Sequence, residues 1–166
     1  MRVIGRVSRI FCNVMFYRCN LDVIYFVSYN YFMTALDRKQ QQKIINFWIE
    51  SADRNWKSAQ TIFESKNYDW SLFIAQLAVE KLLKALVSKR EKTPPQTHNL
   101  VYLINLTEIS ITKIQLNWLK EFQKWNIAAR YDEEKFKLYK LATREYTTKW
   151  LERVKEIIQW LKKQLD

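Results

Sequence analysis

The sequence predicts an all-α protein, an up-down bundle of four or five helices, and three observations lead there. Glycine occurs once and proline twice in 166 residues, which leaves little material for the tight turns of a sheet protein. Apolar residues recur in steps of three and four over long stretches, the signature of a helix with one inward stripe. The two prolines are adjacent, Pro94-Pro95, so the chain has one forceful break and otherwise few loops. At this length one domain is the default, and its core can bury roughly two-thirds of the unfolded chain's surface.

Residues 1 to 33 differ from the rest in being aromatic, β-branched and nearly free of acids. Arg18 and Asp22 interrupt the apolar run, no small-residue cleavage site follows it, and the apolar pieces are shorter than the ~18 residues a membrane span needs. The expected division is therefore an extension over 1–33, of unassigned order or an over-long assignment of the start, and a helical domain over 34–166. A short element packed on the bundle and a membrane-associated segment are the alternatives for 1–33.

A first helix is expected from Asp37 to Lys66, with Ile44, Ile45, Trp48, Ala52, Trp56, Ala59, Ile62 and Phe63 on its stripe. Ser65 to Asp69 breaks the pattern, and Asp69 is a plausible cap for a second helix through Phe73, Ile74, Leu77, Ala78, Leu82, Ala85 and Leu86. Ala75, Ala78 and Ala85 suit close helix approach. After the prolines, Thr97 or Asn99 can cap a short helix over Leu100 to Leu106. A third main helix starts at Thr112, turns Ile114, Leu119, Phe122 and Trp125 inward, and stops near Ala129. Arg130 to Lys135 reads as an exposed connection, although Asp132 can equally start a helix. A long final helix carries Leu141, Tyr146, Trp150, Val154, Ile157, Leu161 and Leu165. No internal repeat or low-complexity segment interrupts these elements.

The net charge of +11 favours an acidic partner such as RNA, a nucleotide or an acidic protein surface, against the simpler alternative of a solvated basic surface. Residues 1–33 hold +3 of it, so the helical part is basic by itself. Cys12 and Cys19 are the only cysteines and His98 the only histidine. No second Cys or His pair completes a zinc site, so the expectation is no structural metal, no cofactor and a reducing, cytoplasmic setting. No DNA-binding motif is present and no membrane association is expected.

Three groups of residues can carry chemistry. In Ala75 to Ala85, Glu80 and Lys84 form an i, i+4 pair and Lys81 lies beside Lys84, which reads either as a salt-linked flank or as a cationic one. His98, at the start of a helix after the prolines, either braces the loop or transfers a proton near neutral pH. Arg130, followed by Tyr131 and Asp132, either holds a phosphate in bidentate fashion or pairs with an acid that locks the junction.

Together these residues resemble the HEPN family, helical domains of higher eukaryotes and prokaryotes linked to nucleotides. The marks are Trp48 through Trp56, the Glu-Lys-x-x-Lys-Ala core within Ala75 to Ala85, Thr97-His98-x-Leu100 after the prolines, Ala129-Arg130-Tyr131-Asp132, and Trp150 to Leu161. The resemblance covers about Ile45 to Leu165 and implies a four- or five-helix bundle, often a homodimer, frequently partnered with a minimal nucleotidyltransferase in toxin-antitoxin pairs. Some members are metal-independent ribonucleases with Arg followed, after four to six residues, by His. Here the sole histidine precedes Arg130, and seven residues separate Arg90 from His98 across the Pro-Pro loop, so the ribonuclease motif is absent. The resemblance thus implies a non-catalytic HEPN module that binds a nucleotide, RNA or a nucleotidyltransferase partner through Lys81, Lys84, His98, Arg130 and Tyr131. A divergent ribonuclease acting across a homodimer, with His98 as acid or base and Arg130 as phosphate clamp, is the alternative, and a purely structural dimer is the third. Surplus aromatic surface, with Trp150 and Trp160 on neighbouring faces of the last helix, favours the dimer.

Overall fold

The computed structural model describes residues 20–90, 93–128 and 132–166, with side chains from Asp37 onward except that of Asp132. Among these residues there are six α-helices and no strand, as the composition predicts: α1 Asn20–Glu64, α2 Tyr68–Lys89, α3 Leu100–Thr107, α4 Lys113–Ala128, α5 Asp132–Leu141 and α6 Arg144–Leu165. The chain divides into two compact units, Met1–Gln40 and Gln41–Asp166. In the first unit the described part is the helical stretch from Asn20; the second holds the bundle. No helix among the described residues is long and apolar enough to cross a membrane.

Helix α1 begins earlier than the expected Asp37, because no glycine or proline stands between Asn20 and Glu64 to stop it. It ends in a Schellman arrangement: Asn67 N–H donates to Ile62 O and Lys66 N–H to Phe63 O, with Lys66 left-handed at φ 63°. Helix α2 follows at once. Asn67 precedes it without a side-chain cap, and Asp69, expected as the cap, lies in the first turn, where its charge still favours the helix dipole. Side-chain caps do start the next elements. Asn99 Oδ1 accepts from Tyr102 N–H at 2.9 Å, and Thr112 and Gln115 exchange bonds as a capping box at the head of α4.

Helix α2 is the axis of the bundle. Thirteen of its residues are buried, and it packs against α6, α3 and α4. Ala75, Ala78 and Ala85 are fully enclosed, as their small size predicts. The α1 backbone comes close enough for Ser71 Oγ to donate to Ala59 O at 2.8 Å. Leu72, Val79, Leu82, Leu83, Phe122, Trp125, Ile157 and Leu161 fill the centre. Trp150 meets Phe122 and Trp125 edge to face, with ring centroids 6.1 and 6.0 Å apart, and both Trp150 and Trp160 are partly buried against the core.

Three expectations fail at element edges. Ile44 and Ile114, expected to face inward, are exposed, since Ile45 and Leu119 occupy the inward positions. The expected long final helix is two helices. Ala142 and Thr143 separate α5 from α6, because Thr143 Oγ1 caps Tyr146 N–H at 3.2 Å and starts a new helix there. Leu141 is consequently exposed. The far end of α6 is held by Lys89, whose Nζ donates to Leu165 O at 2.6 Å and Gln164 O at 3.2 Å.

Truncating Phe122 to Ala removes a fully buried ring and should cost about 3–5 kcal/mol in urea unfolding, with the m-value unchanged. Lys66→Gly should raise stability by about 0.5–1 kcal/mol in the same measurement, because glycine takes the left-handed position without a Cβ clash.

Candidate functional site

The site is built around a carboxylate inside the central helix. Glu80 follows Ala78 and Val79 and precedes Leu82 and Leu83, all fully buried, and is itself 4% exposed. A carboxylate so placed is tolerable only if its oxygens are bonded. Oε1 accepts from Lys84 Nζ at 2.9 Å, and Oε2 lies 2.9 Å from His98 Nδ1 and 3.4 Å from the donating Gln76 Nε2. Gln76 is held in turn by Asn126, whose Nδ2 donates to Gln76 Oε1 at 3.2 Å. A buried polar chain therefore runs from α4 through α2 to the loop that precedes α3.

That loop is shaped by its own residues. Thr97 N–H bonds Pro95 O, Asn99 N–H bonds Thr97 Oγ1, and Leu100 N–H donates to Gln123 Oε1 on α4. His98 is thereby delivered to Glu80 with its side chain 47% exposed. An ionised carboxylate only accepts hydrogen bonds, so Nδ1 carries the hydrogen, and in the neutral ring the lone pair sits on Nε2.

Lys81 and Lys84 border the same carboxylate but differ in how their charge is met. Lys84 pairs with Glu80 and its Nζ stands 5.5 Å from the centre of the Trp48 ring. Lys81 reaches across to α1, where its Nζ donates to Ser51 Oγ at 2.8 Å and Asn55 Oδ1 at 3.4 Å. Both acceptors are neutral. Partial burial pushes the Lys81 ammonium below the ordinary lysine range, Arg54 and Lys84 push the same way, and Glu80 alone opposes them. The cluster thus carries more positive than negative charge in a partly desolvated place, an arrangement that an anion would relieve.

The structure brings together three of the residues singled out in the sequence: Lys81, Lys84 and His98. Arg130 and Tyr131 lie outside the described residues. Glu80 as a hub, Arg54, and the pair Gln76 and Asn126 were missed. The salt link to Lys84 expected from the i, i+4 spacing is present; the signal for the further role was a glutamate set among apolar positions of a mid-chain helix. Among the described residues no group of three His, Cys, Asp or Glu side chains is placed to hold a metal ion.

Residues 45–164 match the family model of the HEPN domain. The fold is similar to that of TT1696 from Thermus thermophilus, with a TM-score of 0.65 at 23% identity over 73% of this chain and 98% of that one. It is also similar to ST0689, an archaeal HEPN homologue, with a TM-score of 0.60 at 19% identity over 74% and 98% of the two chains. No curated protein matches. With the match covering more than half of its length, the chain belongs to the HEPN domain family.

Proposed function

We propose that this HEPN domain is a non-catalytic binding module for a phosphate-bearing ligand, a nucleotide or RNA, held at Arg54, Lys81, Lys84 and the outer edge of His98. The observation that carries the reading is the Lys81 ammonium, partly desolvated, bonded only to neutral oxygens and opposed by two neighbouring cations. Such a charge is better matched by phosphate oxygens than by water. Arg130, from the junction after α4, belongs to the same proposal as a second phosphate contact. A homodimer and a minimal nucleotidyltransferase partner are compatible with it and are what the family resemblance adds.

One observation favours a second reading, a ribonuclease acting across a homodimer with His98 as acid or base and Arg130 as clamp. The Glu80 carboxylate at Nδ1 orients the half-exposed ring and supports a proton acceptor at Nε2. Incubating the full chain and its His98→Ala and Arg130→Ala variants with RNA separates the two. Cleavage that both substitutions abolish would replace the binding reading.

Titration calorimetry with inorganic pyrophosphate tests the binding reading directly. Lys81→Ala and Arg54→Ala should each weaken binding about tenfold, the loss expected for one charge-assisted bond; unchanged affinity in both would overturn it. Affinity should also fall as the pH rises, and the fall should begin below the ordinary lysine range, because Lys81 loses its proton early and the neutral amine no longer attracts the anion. Glu80→Ala should cost about 2–3 kcal/mol in urea unfolding, less than the full cost of breaking a buried pair because Lys84 and His98 can turn toward water.

A further inference from the structure

An aromatic cleft lies apart from the Lys81 cluster, where the start of α2 faces α5. Its volume is about 370 Å³, and it is lined by Asn67, Asp69, Trp70, Lys135, Phe136 and Tyr139. Three large rings border it with much of their surface in solvent: Trp70 is 43% exposed, Phe136 58% and Tyr139 66%. Exposed rings on two different helices around one cleft are not core filling. Cations stand on their faces, Lys135 Nζ at 4.9 Å from the Trp70 ring centre and Lys140 Nζ at 4.4 Å from that of Phe136.

We propose that this cleft is a nucleobase-stacking site, which takes one base of a nucleotide or of single-stranded RNA. Planar aromatic faces open to solvent bind any base by stacking, and lysines beside them meet the phosphates on either side. The charges are sorted accordingly. Asn67 and Asp69 present an amide and a carboxylate, which suit the N–H edge of a base and repel phosphate, whereas Lys135 and Lys140 lie toward the rings of Trp70 and Phe136 and suit the backbone. At such an exposed site Lys135 is held on Trp70 only weakly, so a base can take its place and leave the ammonium for the phosphate. The cleft has room for a base, and the lysines on two of its ring faces favour a base with its flanking phosphates over the apolar side chains of a protein partner. Trp70 and Lys81 are eleven residues apart on α2, three full turns and about 20° at 3.6 residues per turn, hence on one face roughly 16 Å apart. A single strand anchored by phosphate at Lys81 can therefore continue to the cleft. This continuation rests on the phosphate-binding reading; the stacking site does not.

Fluorescence anisotropy of a labelled single-stranded RNA hexamer and of its abasic sugar-phosphate counterpart tests the proposal with the full chain. The RNA should bind about tenfold tighter than the abasic strand, the effect of a stacked base. Trp70→Ala and Tyr139→Ala, on separate helices, should each reduce that preference to less than about twofold, while Lys81→Ala weakens both strands by the same factor. Equal binding of the two strands, or a preference that survives both aromatic substitutions, would overturn the stacking site and leave the cleft as an apolar surface for a protein. If neither strand binds, the phosphate reading fails, and guanosine alone decides on the cleft. Quenching of tryptophan fluorescence that Trp70→Ala abolishes supports the site, and no quenching overturns it.

Discussion

Burying a carboxylate in the most enclosed helix constrains this molecule more than any other single feature. Desolvating an unpaired carboxylate costs several kcal/mol, and Glu80 escapes that cost through donors from separate parts of the chain. Lys84 and Gln76 come from its own helix, one turn to either side. His98 comes from the loop after Pro94-Pro95, and Gln76 is turned the right way by Asn126 of α4. A one-turn slip of α4 against α2, 5.4 Å of rise, would separate Asn126 from Gln76 and leave the buried Asn126 Nδ2 and Gln76 Oε1 without each other. The polar chain therefore sets a register that the apolar contacts around it leave free, since leucines pack almost as well one turn away.

The same constraint explains the shape of the loop. A histidine can reach a buried oxygen only if the backbone passes close to the helix, as it does where His98 Nδ1 lies 2.9 Å from Glu80 Oε2. The prolines end any helical tendency before the loop, and Leu100 N–H on Gln123 Oε1 pins the far side to α4. Asn99 caps α3 and its own N–H donates to Thr97 Oγ1, so bonds on both sides of His98 close within three residues. The ring is consequently positioned from both sides, with one nitrogen committed to Glu80 and the other edge outward.

Much of the fold was legible because it rests on periodicity. The stripe through Leu119, Phe122 and Trp125 and the alanines of α2 are repeated local signals, and they mark buried positions wherever they recur. The helix ends were less legible. Whether Thr143 interrupts a helix depends on one hydroxyl bonding Tyr146 N–H, and nothing in the surrounding pattern distinguishes that threonine from one inside a helix. Lys66 ends α1 in a left-handed geometry that glycine would have announced and lysine does not. At the candidate site the sequence marked Lys81, Lys84 and His98 by residue type alone. The i, i+4 spacing of Glu80 and Lys84 reports that the two side chains can meet, as they do, and says nothing about depth. The contact to His98 joins residues eighteen apart through a loop, and Asn126 joins Gln76 across fifty; no local spacing encodes either.

Depth also decides which of many positive charges matters. The chain carries 28 lysines and arginines, and several sit in surface pairs such as Lys124 with Glu121, Lys137 with Glu134 and Lys162 with Asp53. Pairs of this kind are exposed, screened by salt and replaced by water at little cost. Lys84 is deeper, but its charge is met by Glu80. Lys81 differs from both classes: Ser51 and Asn55 fix the ammonium in place without neutralising it, while Arg54 lies near enough to add to the field. An incoming anion there meets a charge already held in position and already stripped of part of its water, so it gives up less ordering entropy than at a free surface lysine and feels a stronger field. In the proposed binding reading, net charge acts over the whole surface, and the neutral oxygens on α1 are what would make one place on it selective.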